Sequence, residues 1–321
     1  MKAYIVSELY QPPVIKNLPE PQPAENQVVA KILASALNHR DLWITRGLYP
    51  GIRFGSVMGS DAVVMHDGQT YIINPGLDWG TRQSHQSREF RVLGVPDDGV
   101  FADCIAIGRQ YLYPKPAHLD MEQAAALPLA GVTAYRALFK RAQLQKGDTV
   151  LVSGVGGGVA MMALQLSVAA GCRVLVTSGS SRKIARAIEL GAHGGFIYTE
   201  EGWEDQLVKL YGGVDVVIDG ACGPGFKGLV KICNSGARIV FYGATSGRIP
   251  ELNPQPIFWK QISILGSTMG SDQDFADMLD FVNLHKVTPV VDSVYSFDDL
   301  PDAFAQMEKG TQFGKLVIKH G

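Results

Sequence analysis

The sequence contains few cysteines and no large surplus of charge of either sign. Its four cysteines, Cys104, Cys172, Cys222 and Cys233, form no Cys-x-x-Cys pair, so the pattern is not typical of a disulfide framework or a cysteine-rich zinc knuckle. The chain has 29 Lys and Arg residues against 31 Asp and Glu residues, a net charge of −2. This balance provides no basic surface for a nucleic acid. We therefore expect neither a disulfide-stabilised scaffold nor a nucleic-acid-binding protein.

The sequence also offers no clear segment for reaching or crossing a membrane. Residues Met1–Tyr4 lead directly into a strand and not into the apolar core of a signal peptide. The stretch 149–172 has no charged residue and is long enough to span a bilayer. However, glycines interrupt it and Ser153, Gln165 and Ser167 make it partly polar. A buried strand–turn–helix unit explains it better, so we predict a cytoplasmic protein without a membrane partner.

This uncharged stretch has the order of a dinucleotide-binding turn. An apolar strand, Val150–Val152, precedes a glycine cluster, and an apolar helix follows over residues 160–170. Glycine permits a sharp turn and the close approach of a pyrophosphate, while the helix N-terminus supplies free N–H groups. The spacing departs from the commonest fingerprint, and a packed turn without a ligand is the alternative. The predicted pyrophosphate site comprises Gly154, Gly156, Gly157, Gly158 and Val159.

The hydrophobic pattern divides the chain into regions of different character. Up to about His118 it shows only short strands, separated by Gly, Pro and Asp, which favours a partly open β-barrel. The polar stretch Asn74–Arg91 is predicted to be an irregular surface excursion. Near residue 120 the pattern changes to a helix that Pro128 should end, and a second helix is predicted at Val132–Arg141. From Val150 strands and helices alternate, which predicts an α/β fold with a doubly wound parallel sheet. Its strand ends should form one edge where ligands bind.

The segment after the second strand of this α/β region favours NADP(H). An acidic residue there would bind the ribose hydroxyls of NAD, but Thr177–Lys183 contains no acid. It offers hydroxyl groups, including that of Ser178, and the two cations Arg182 and Lys183, which suit a 2′-phosphate. The alternative is that both cations are solvated residues of a helix's first turn. Cations at that end oppose the helix dipole, which favours the phosphate interpretation.

Four segments resemble those of quinone oxidoreductases, a zinc-free branch of the medium-chain dehydrogenase/reductase superfamily. They match the Asn-x-x-Asp-x5-Gly-x-Tyr-Pro motif, the Leu-Pro-x-Ala-Gly-x-Thr-Ala-Tyr motif, the nucleotide-binding strand and turn, and the closing strand, at residues 38–50, 127–135, 146–159 and 314–318. The resemblance covers essentially the whole chain. It implies a GroES-like catalytic domain at 1–119, completed by 267–321, and a Rossmann domain at 120–266.

The resemblance also implies a set of catalytic residues. In this family Asn38 and Thr133 would lie beside the nicotinamide, and Trp43 and Tyr49 would line the substrate pocket. The Tyr49 hydroxyl would then donate a hydrogen bond or a proton to a developing enolate or quinol oxygen. The alternative for Tyr49 is a packing aromatic beside Pro50.

Further cofactor contacts follow from the same resemblance and from the strand ends. Gly179, Lys183, Tyr198 and Lys309 match the family's contacts to the 2′-phosphate. A later strand of the α/β region ends at Tyr242 and Gly243, on the edge where ligands bind. Together with Ser178 and the glycine-rich turn, these residues form the predicted NADP(H) site.

Many members of the superfamily carry zinc, and this sequence departs from them at each ligand position. The catalytic cysteine is replaced by Asn38, the His-Glu pair by Ser60 and Asp61, and the third ligand by Leu129. The stretch Asn74–Arg91, where a structural zinc lobe would fall, contains no cysteine. Zinc requires three or four converging ligands, so we predict a protein without a metal site.

These observations predict an NADPH-dependent, zinc-independent oxidoreductase that reduces a quinone or an activated C=C bond of a small molecule. An alcohol or aldehyde oxidoreductase of the same superfamily is one alternative, and a non-catalytic NADPH-binding protein is another. The segment Ile262–Leu265 is predicted to be an edge strand of the Rossmann sheet. Exposed edges pair readily, and relatives dimerise through this strand, so we expect a homodimer.

Overall fold

Apolar strands form two large sheets in the computed structural model, which describes residues 1–321. Each sheet is the centre of one unit. The first unit comprises Met1–Val132 and Gly270–Gly321, and the second comprises Thr133–Met269. The first unit extends beyond the predicted residue 119 because the helix Met121–Ala125 packs against its strands.

A seven-stranded mixed sheet and two small two-stranded sheets make up the first unit. The strands are β1 (Lys2–Ile5), β2 (Val14–Asn17), β3 (Gln27–Ala36), β4 (Asp61–His66), β5 (Gln69–Ile73), β6 (Gly76–Leu77), β7 (Arg91–Val92), β8 (Cys104–Gly108), β9 (Leu112–Pro114), β16 (Val291–Ser296) and β17 (Lys315–Lys319). The large sheet has the order β16-β17-β3-β4-β5-β9, and β8 also pairs with β3. The C-terminal strand β17 is antiparallel to β3, with Val317 opposite Ala36.

The helices of the first unit include one that the all-β pattern did not predict. They are α1 (His39–Thr45), α2 (Met121–Ala125), α9 (Asp272–His285) and α10 (Leu300–Lys309). The expectation of strands and loops alone up to His118 is therefore wrong at α1. This helix starts after Asn38, whose backbone N–H donates to Asp41 Oδ2 over 2.8 Å. An Asn followed three residues later by an acid is a helix-start signature.

The stretch Asn74–Arg91 is more ordered than its composition predicts. Asn74 and Trp79 are each only 1% exposed, and β6 pairs with β7 at the two ends of the stretch. The Trp79 ring packs edge to face on Phe90, with 5.1 Å between ring centroids. The prediction of an irregular surface excursion is therefore wrong at its anchoring residues, since the buried indole holds the segment on the unit.

A six-stranded sheet forms the second unit, with every neighbouring pair parallel. Its strands are β10 (Thr149–Val152), β11 (Arg173–Ser178), β12 (Gly194–Ile197), β13 (Val214–Asp219), β14 (Cys233–Phe241) and β15 (Ser263–Gly266). The order is β12-β11-β10-β13-β14-β15. The chain therefore reverses direction across the sheet between β10 and β13, the place where such folds bind ligands. The predicted doubly wound parallel sheet is confirmed.

The helices of the second unit connect these strands. They are α4 (Gly158–Ala169), α5 (Ser181–Glu189), α6 (Trp203–Tyr211), α7 (Phe226–Ile232) and α8 (Pro254–Trp259). Strand β10 is entirely buried, as expected of a central parallel strand covered on both faces. None of the helices combines the length and apolar character that a bilayer crossing requires.

The remaining elements are a helix α3 (Pro128–Tyr135), a π-helical segment, Arg136–Arg141, and three short 3-10 helical turns, Arg109–Tyr111, Gly223–Gly225 and Phe297–Asp299. We predicted that Pro128 would end a helix and that the next would begin at Val132. Instead, Pro128 is the first residue of α3. Proline is tolerated there because the first helical N–H has no intrahelical partner.

Candidate active site

The glycine-rich turn between β10 and α4 has the backbone that a bound pyrophosphate needs. Gly154 and Gly156 have φ values of 62° and 136°, which side chains with a Cβ rarely adopt. The N–H of Gly154 donates to Thr177 Oγ1 over 3.1 Å, so β11 holds the turn in place. Gly157 precedes α4 without a side-chain cap, which leaves the first N–H groups of Gly158 and Val159 available.

The side chain of Lys183 reaches this turn from the first turn of α5. A Cβ added at Gly156 would lie 3.0 Å from Lys183 Cδ and 3.1 Å from its Nζ. The lysine ammonium therefore lies against the segment predicted to bind phosphate. Ser180 caps α5, since its Oγ accepts the backbone N–H of Lys183. The turn and the cation fit a dinucleotide.

Tyr198, Gly179 and Ser178 lie together at the ends of β11 and β12. A Cβ added at Gly179 would lie 2.9 Å from Tyr198 Oη, and Tyr198 is 51% exposed. Ser178 is 3% exposed, and its Oγ accepts the N–H of Ser180 over 3.2 Å. The Ser178 hydroxyl therefore holds the backbone at Ser180, in addition to its predicted contact with the cofactor. Contact of these residues with a 2′-phosphate stays a prediction.

The ends of β13 and β14 lie close together. A Cβ at Gly243 would lie 2.9 Å from the Gly220 oxygen, so only glycine fits next to Tyr242 at this point. Asp219, 1% exposed, accepts hydrogen bonds from the Ser153 hydroxyl and from the Cys222 N–H. We did not assign Asp219 to the site. Its position at the end of a buried strand was the available signal.

In the first unit, Asn38 belongs to a buried polar cluster. The Lys315 ammonium lies 2.6 Å from Asn38 Oδ1 and 2.8 Å from Asp61 Oδ2. Asn38 Nδ2 donates to the same Asp61 oxygen over 2.9 Å, and the Leu129 N–H donates to Asp61 Oδ1 over 2.8 Å. Asp61 is fully buried and the Lys315 side chain is 5% exposed. Sequence patterns had shown Lys315 only as part of the closing strand.

Arg40 is a second buried cation next to this cluster. Its Nη1 donates to Ser60 Oγ and to the Leu93 carbonyl oxygen, each over 2.6 Å. Its guanidinium carbon lies 4.9 Å from the centroid of the Tyr49 ring, within the range of a cation–π contact. The hydroxyl of Tyr49 has no hydrogen-bond partner within the protein, so it can donate to a ligand.

The other predicted residues are distributed over both units. Trp43 lies on α1 with its ring 5.7 Å from the Arg46 guanidinium, and Lys309 is the exposed last residue of α10. Thr133 belongs to the second unit and is 5% exposed. Its hydroxyl lies 3.9 Å from Met269 Sδ. Asn38, Trp43 and Tyr49 belong to one segment of the first unit, whereas the role of Lys309 stays a prediction.

The residues at the zinc-ligand positions do not fit a metal ion. Asn38, Asp61 and Leu129 do converge. They contribute an amide, a carboxylate and a backbone N–H, and the Lys315 ammonium lies beside the amide and the carboxylate. An ammonium 2.8 Å from the carboxylate would repel a divalent cation. The chain contains no group of three His, Cys, Asp or Glu side chains arranged to hold a metal.

The carboxyl group of Asp41 has a raised pKa. Burial raises its pKa from 3.8 to about 6, partly offset by the nearby Arg40 and Lys315 cations and by the hydrogen bond from the Asn38 N–H. Its Oδ1 has no hydrogen-bond partner. An unpaired buried carboxylate oxygen is costly when ionised.

Known proteins are similar to this chain over nearly its whole length. A family model described as zinc-binding dehydrogenase matches residues 158–283. The zinc-type alcohol dehydrogenase-like protein YogA of Leptosphaeria maculans is 33% identical, with 97% of this chain and 96% of that protein covered.

Two solved structures are similar over nearly their full length. An NAD-dependent alcohol dehydrogenase has a TM-score of 0.94 and 32% identity, with 100% of both chains covered. The quinone oxidoreductase from Thermus thermophilus, solved also in complex with NADPH, has a TM-score of 0.84 and 28% identity. The match covers 99% of this chain and 100% of that one.

The raised pKa of Asp41 predicts how stability changes with pH. The folded-state pKa of about 6 exceeds the value of 3.8 expected for the unfolded chain. The stability contribution is therefore full below pH 3.8 and is lost as the pH rises through about 6. The shift corresponds to roughly 3 kcal/mol in the free energy of unfolding. The Asp41→Asn variant should lack this loss in denaturant titrations between about pH 4 and pH 7. Parallel pH profiles of the two proteins would contradict the assignment.

Proposed function

Because the chain belongs to the medium-chain dehydrogenase/reductase superfamily, we propose that it is an NADPH-dependent, zinc-independent reductase of quinones or activated C=C bonds. Full-length relatives make it an oxidoreductase that uses a nicotinamide cofactor. The cluster of Asn38, Asp61 and Lys315 is the observation that supports a zinc-independent reductase. A lysine ammonium lies against two residues, Asn38 and Asp61, that stand at zinc-ligand positions of zinc-dependent members.

The preference for NADPH rests on the surroundings of Lys183. No acidic residue follows β11 to bind ribose hydroxyls, and the Lys183 ammonium lies against the glycine-rich turn. A 2′-phosphate next to this ammonium would form a charge-assisted hydrogen bond. Tyr198 and Gly179 would complete its surroundings.

The first unit supplies the groups that would stabilise charge on the acceptor. When bound, the nicotinamide supplies the hydride. As hydride reaches a quinone or an enone, negative charge develops on the acceptor oxygen and hydrogen-bond donors stabilise it. The Asn38 amide N–H and the Tyr49 hydroxyl are donors without a further protein acceptor. Trp43 would provide apolar surface for a flat substrate.

Oxidation of an alcohol is the second candidate, because one similar structure is an NAD-dependent alcohol dehydrogenase. A zinc ion would normally polarise the alcohol oxygen in such an enzyme. Asn38 and Lys315 do not offer that Lewis acid. A third possibility is binding of NADPH without turnover, which would give the hydrogen-bond donors of Asn38 and Tyr49 no role in catalysis. Turnover measured with different acceptors separates the three.

Cofactor oxidation measured with wild type and Lys183→Ala tests the proposed function. Wild type should oxidise NADPH with simple quinones or enones and act poorly on alcohols. A charge-assisted hydrogen bond contributes roughly 1.5–3 kcal/mol, so the substitution should raise the KM and Kd for NADPH by about ten- to a hundredfold. The values for NADH, which lacks the phosphate, should change little.

Lys209→Ala is the matched control, since it removes a lysine from the last turn of α6 and should alter neither cofactor. Equal weakening of NADPH and NADH by Lys183→Ala would contradict the NADPH preference. Wild type that turns over alcohols but neither quinones nor enones would contradict the acceptor class. Tight NADPH binding without any turnover would favour the non-catalytic alternative.

We also propose that the protein forms a homodimer in the cytoplasm. Strand β15 is the unpaired edge of the second unit's sheet, and such edges pair readily. Next to it, at the end of α8, Phe258 and Trp259 are 65% and 80% exposed. Apolar side chains at an open edge suit a second copy related by a two-fold axis. All four cysteines are free thiols, which supports a reducing compartment.

Sedimentation at micromolar concentration tests the dimer. Wild type should sediment as a dimer, and Trp259→Glu should weaken association about tenfold or more by placing a charge in the interface. Leu284→Glu is the control, because Leu284 is similarly exposed, at 76%, but belongs to the first unit. A monomeric wild type, or equal effects of the two substitutions, would refute this interface.

A further inference from the structure

The orientation of the Asn38 amide is determined by its two neighbours. Its Oδ1 accepts from the Lys315 ammonium, which has no acceptor function, and its Nδ2 donates to Asp61, which as a carboxylate has no donor. The reversed amide would place Nδ2 against the ammonium and Oδ1 against the carboxylate. Each contact would then be repulsive. Lys315 and Asp61 therefore specify one of the two amide orientations.

This orientation decides which atom Asn38 offers to a ligand. One N–H of the amide is used by Asp61, and the second has no acceptor in the protein. Asn38 is 7% exposed, so the second N–H is confined to a site largely screened from water. In such a site, a fixed donor stabilises developing negative charge better than a mobile one.

We propose that Lys315 is a positioning residue that occupies the role of a metal cation at this site and holds Asn38 as a hydrogen-bond donor. The inference rests on the proposed function, in which Asn38 faces the acceptor. The ammonium compensates the buried carboxylate of Asp61 and, through that pair, sets the Asn38 amide. Lys315 itself donates to Asn38 and Asp61 and need not touch the substrate.

Other charged groups face the same cluster. Arg40 hydrogen-bonds to Ser60 and the Leu93 carbonyl oxygen, and Asp41 accepts the Asn38 backbone N–H. Asp41 thus holds the backbone at position 38, and Arg40 holds the Ser60 side chain and the backbone at position 93. The backbone N–H of Asp41 also faces the Asn38 side chain in the capping box and favours the same orientation, since an N–H needs the amide oxygen as its acceptor. The two charged groups in contact with the Asn38 amide are those of Lys315 and Asp61.

The test compares Lys315→Met, Lys315→Arg and the double variant Asp61→Asn/Lys315→Met. Lys315→Met should lower kcat about ten- to a hundredfold, less than the roughly hundred- to thousandfold cost of removing a fixed donor, because the donor is loosened and not removed. Kd for NADPH should stay within about twofold. Lys315→Arg keeps the cation and should recover most of kcat. In the double variant no buried charge is left unpaired, so thermal stability should return toward wild type.

The double variant separates positioning from simple stabilisation. The asparagine introduced at position 61 would keep its oxygen on the Leu129 N–H and turn its NH2 group toward Asn38, so the Asn38 amide should reverse. Activity should therefore remain low although stability recovers. Recovery of both together would overturn the proposal, because Lys315 would then act only through stability. Wild-type kcat in a stable Lys315→Met protein would overturn it as well.

A measurement independent of turnover keeps the inference separate from the proposed function. In ¹⁵N-labelled protein the Asn38 side-chain NH2 signals, assigned by their loss in Asn38→Asp, should be distinct and slowly exchanging in wild type and in Lys315→Arg. They should shift and exchange faster in Lys315→Met. Unchanged signals would overturn the positioning role. If wild type reduces no quinone or enone, the proposed function fails while this spectroscopic result still decides the role of Lys315.

Discussion

The buried ion pair between Lys315 and Asp61 is the interaction on which the candidate catalytic centre depends. A carboxylate without exposure to water is strongly destabilising unless a cation and hydrogen-bond donors compensate it. Asp61 has all of these, since Lys315 lies 2.8 Å away and the Asn38 amide and the Leu129 N–H donate to it. The same contacts that make the charge tolerable also fix the amide of Asn38. Stability and site geometry therefore have one physical cause here.

The fold brings this pair together from distant parts of the chain. Lys315 and Asp61 are 254 positions apart, and they meet because strand β17 pairs with β3, which in turn pairs with β4. The C-terminal strand thus completes the sheet of the first unit and delivers the cation to it. In the proposed role of Lys315, the positive charge at this site comes from a side chain that is part of the fold.

The parts of the molecule that could be predicted from sequence are those with local causes. The strand, glycine cluster and helix around Gly154–Ala169 are neighbours in the chain, so periodicity and glycine content were sufficient to predict them. The helix His39–Thr45 was missed because it is short and lies in a region of strands. The anchoring role of Trp79 and the role of Lys315 depend on partners that only the folded chain brings close. A lysine in a closing strand carries no local sign that it will be buried beside an acid.

Metal analysis combined with activity tests most directly whether Lys315 takes the place of a metal cation. Protein is divided into samples that are untreated, stripped with a chelator, and then reloaded with zinc, and NADPH-dependent quinone or enone reduction is measured alongside zinc per protomer. We expect equal specific activity in all three samples, with substoichiometric zinc in the first two, because Lys315 provides the positive charge. Activity that falls with zinc removal and returns in proportion to bound zinc would contradict this role of Lys315.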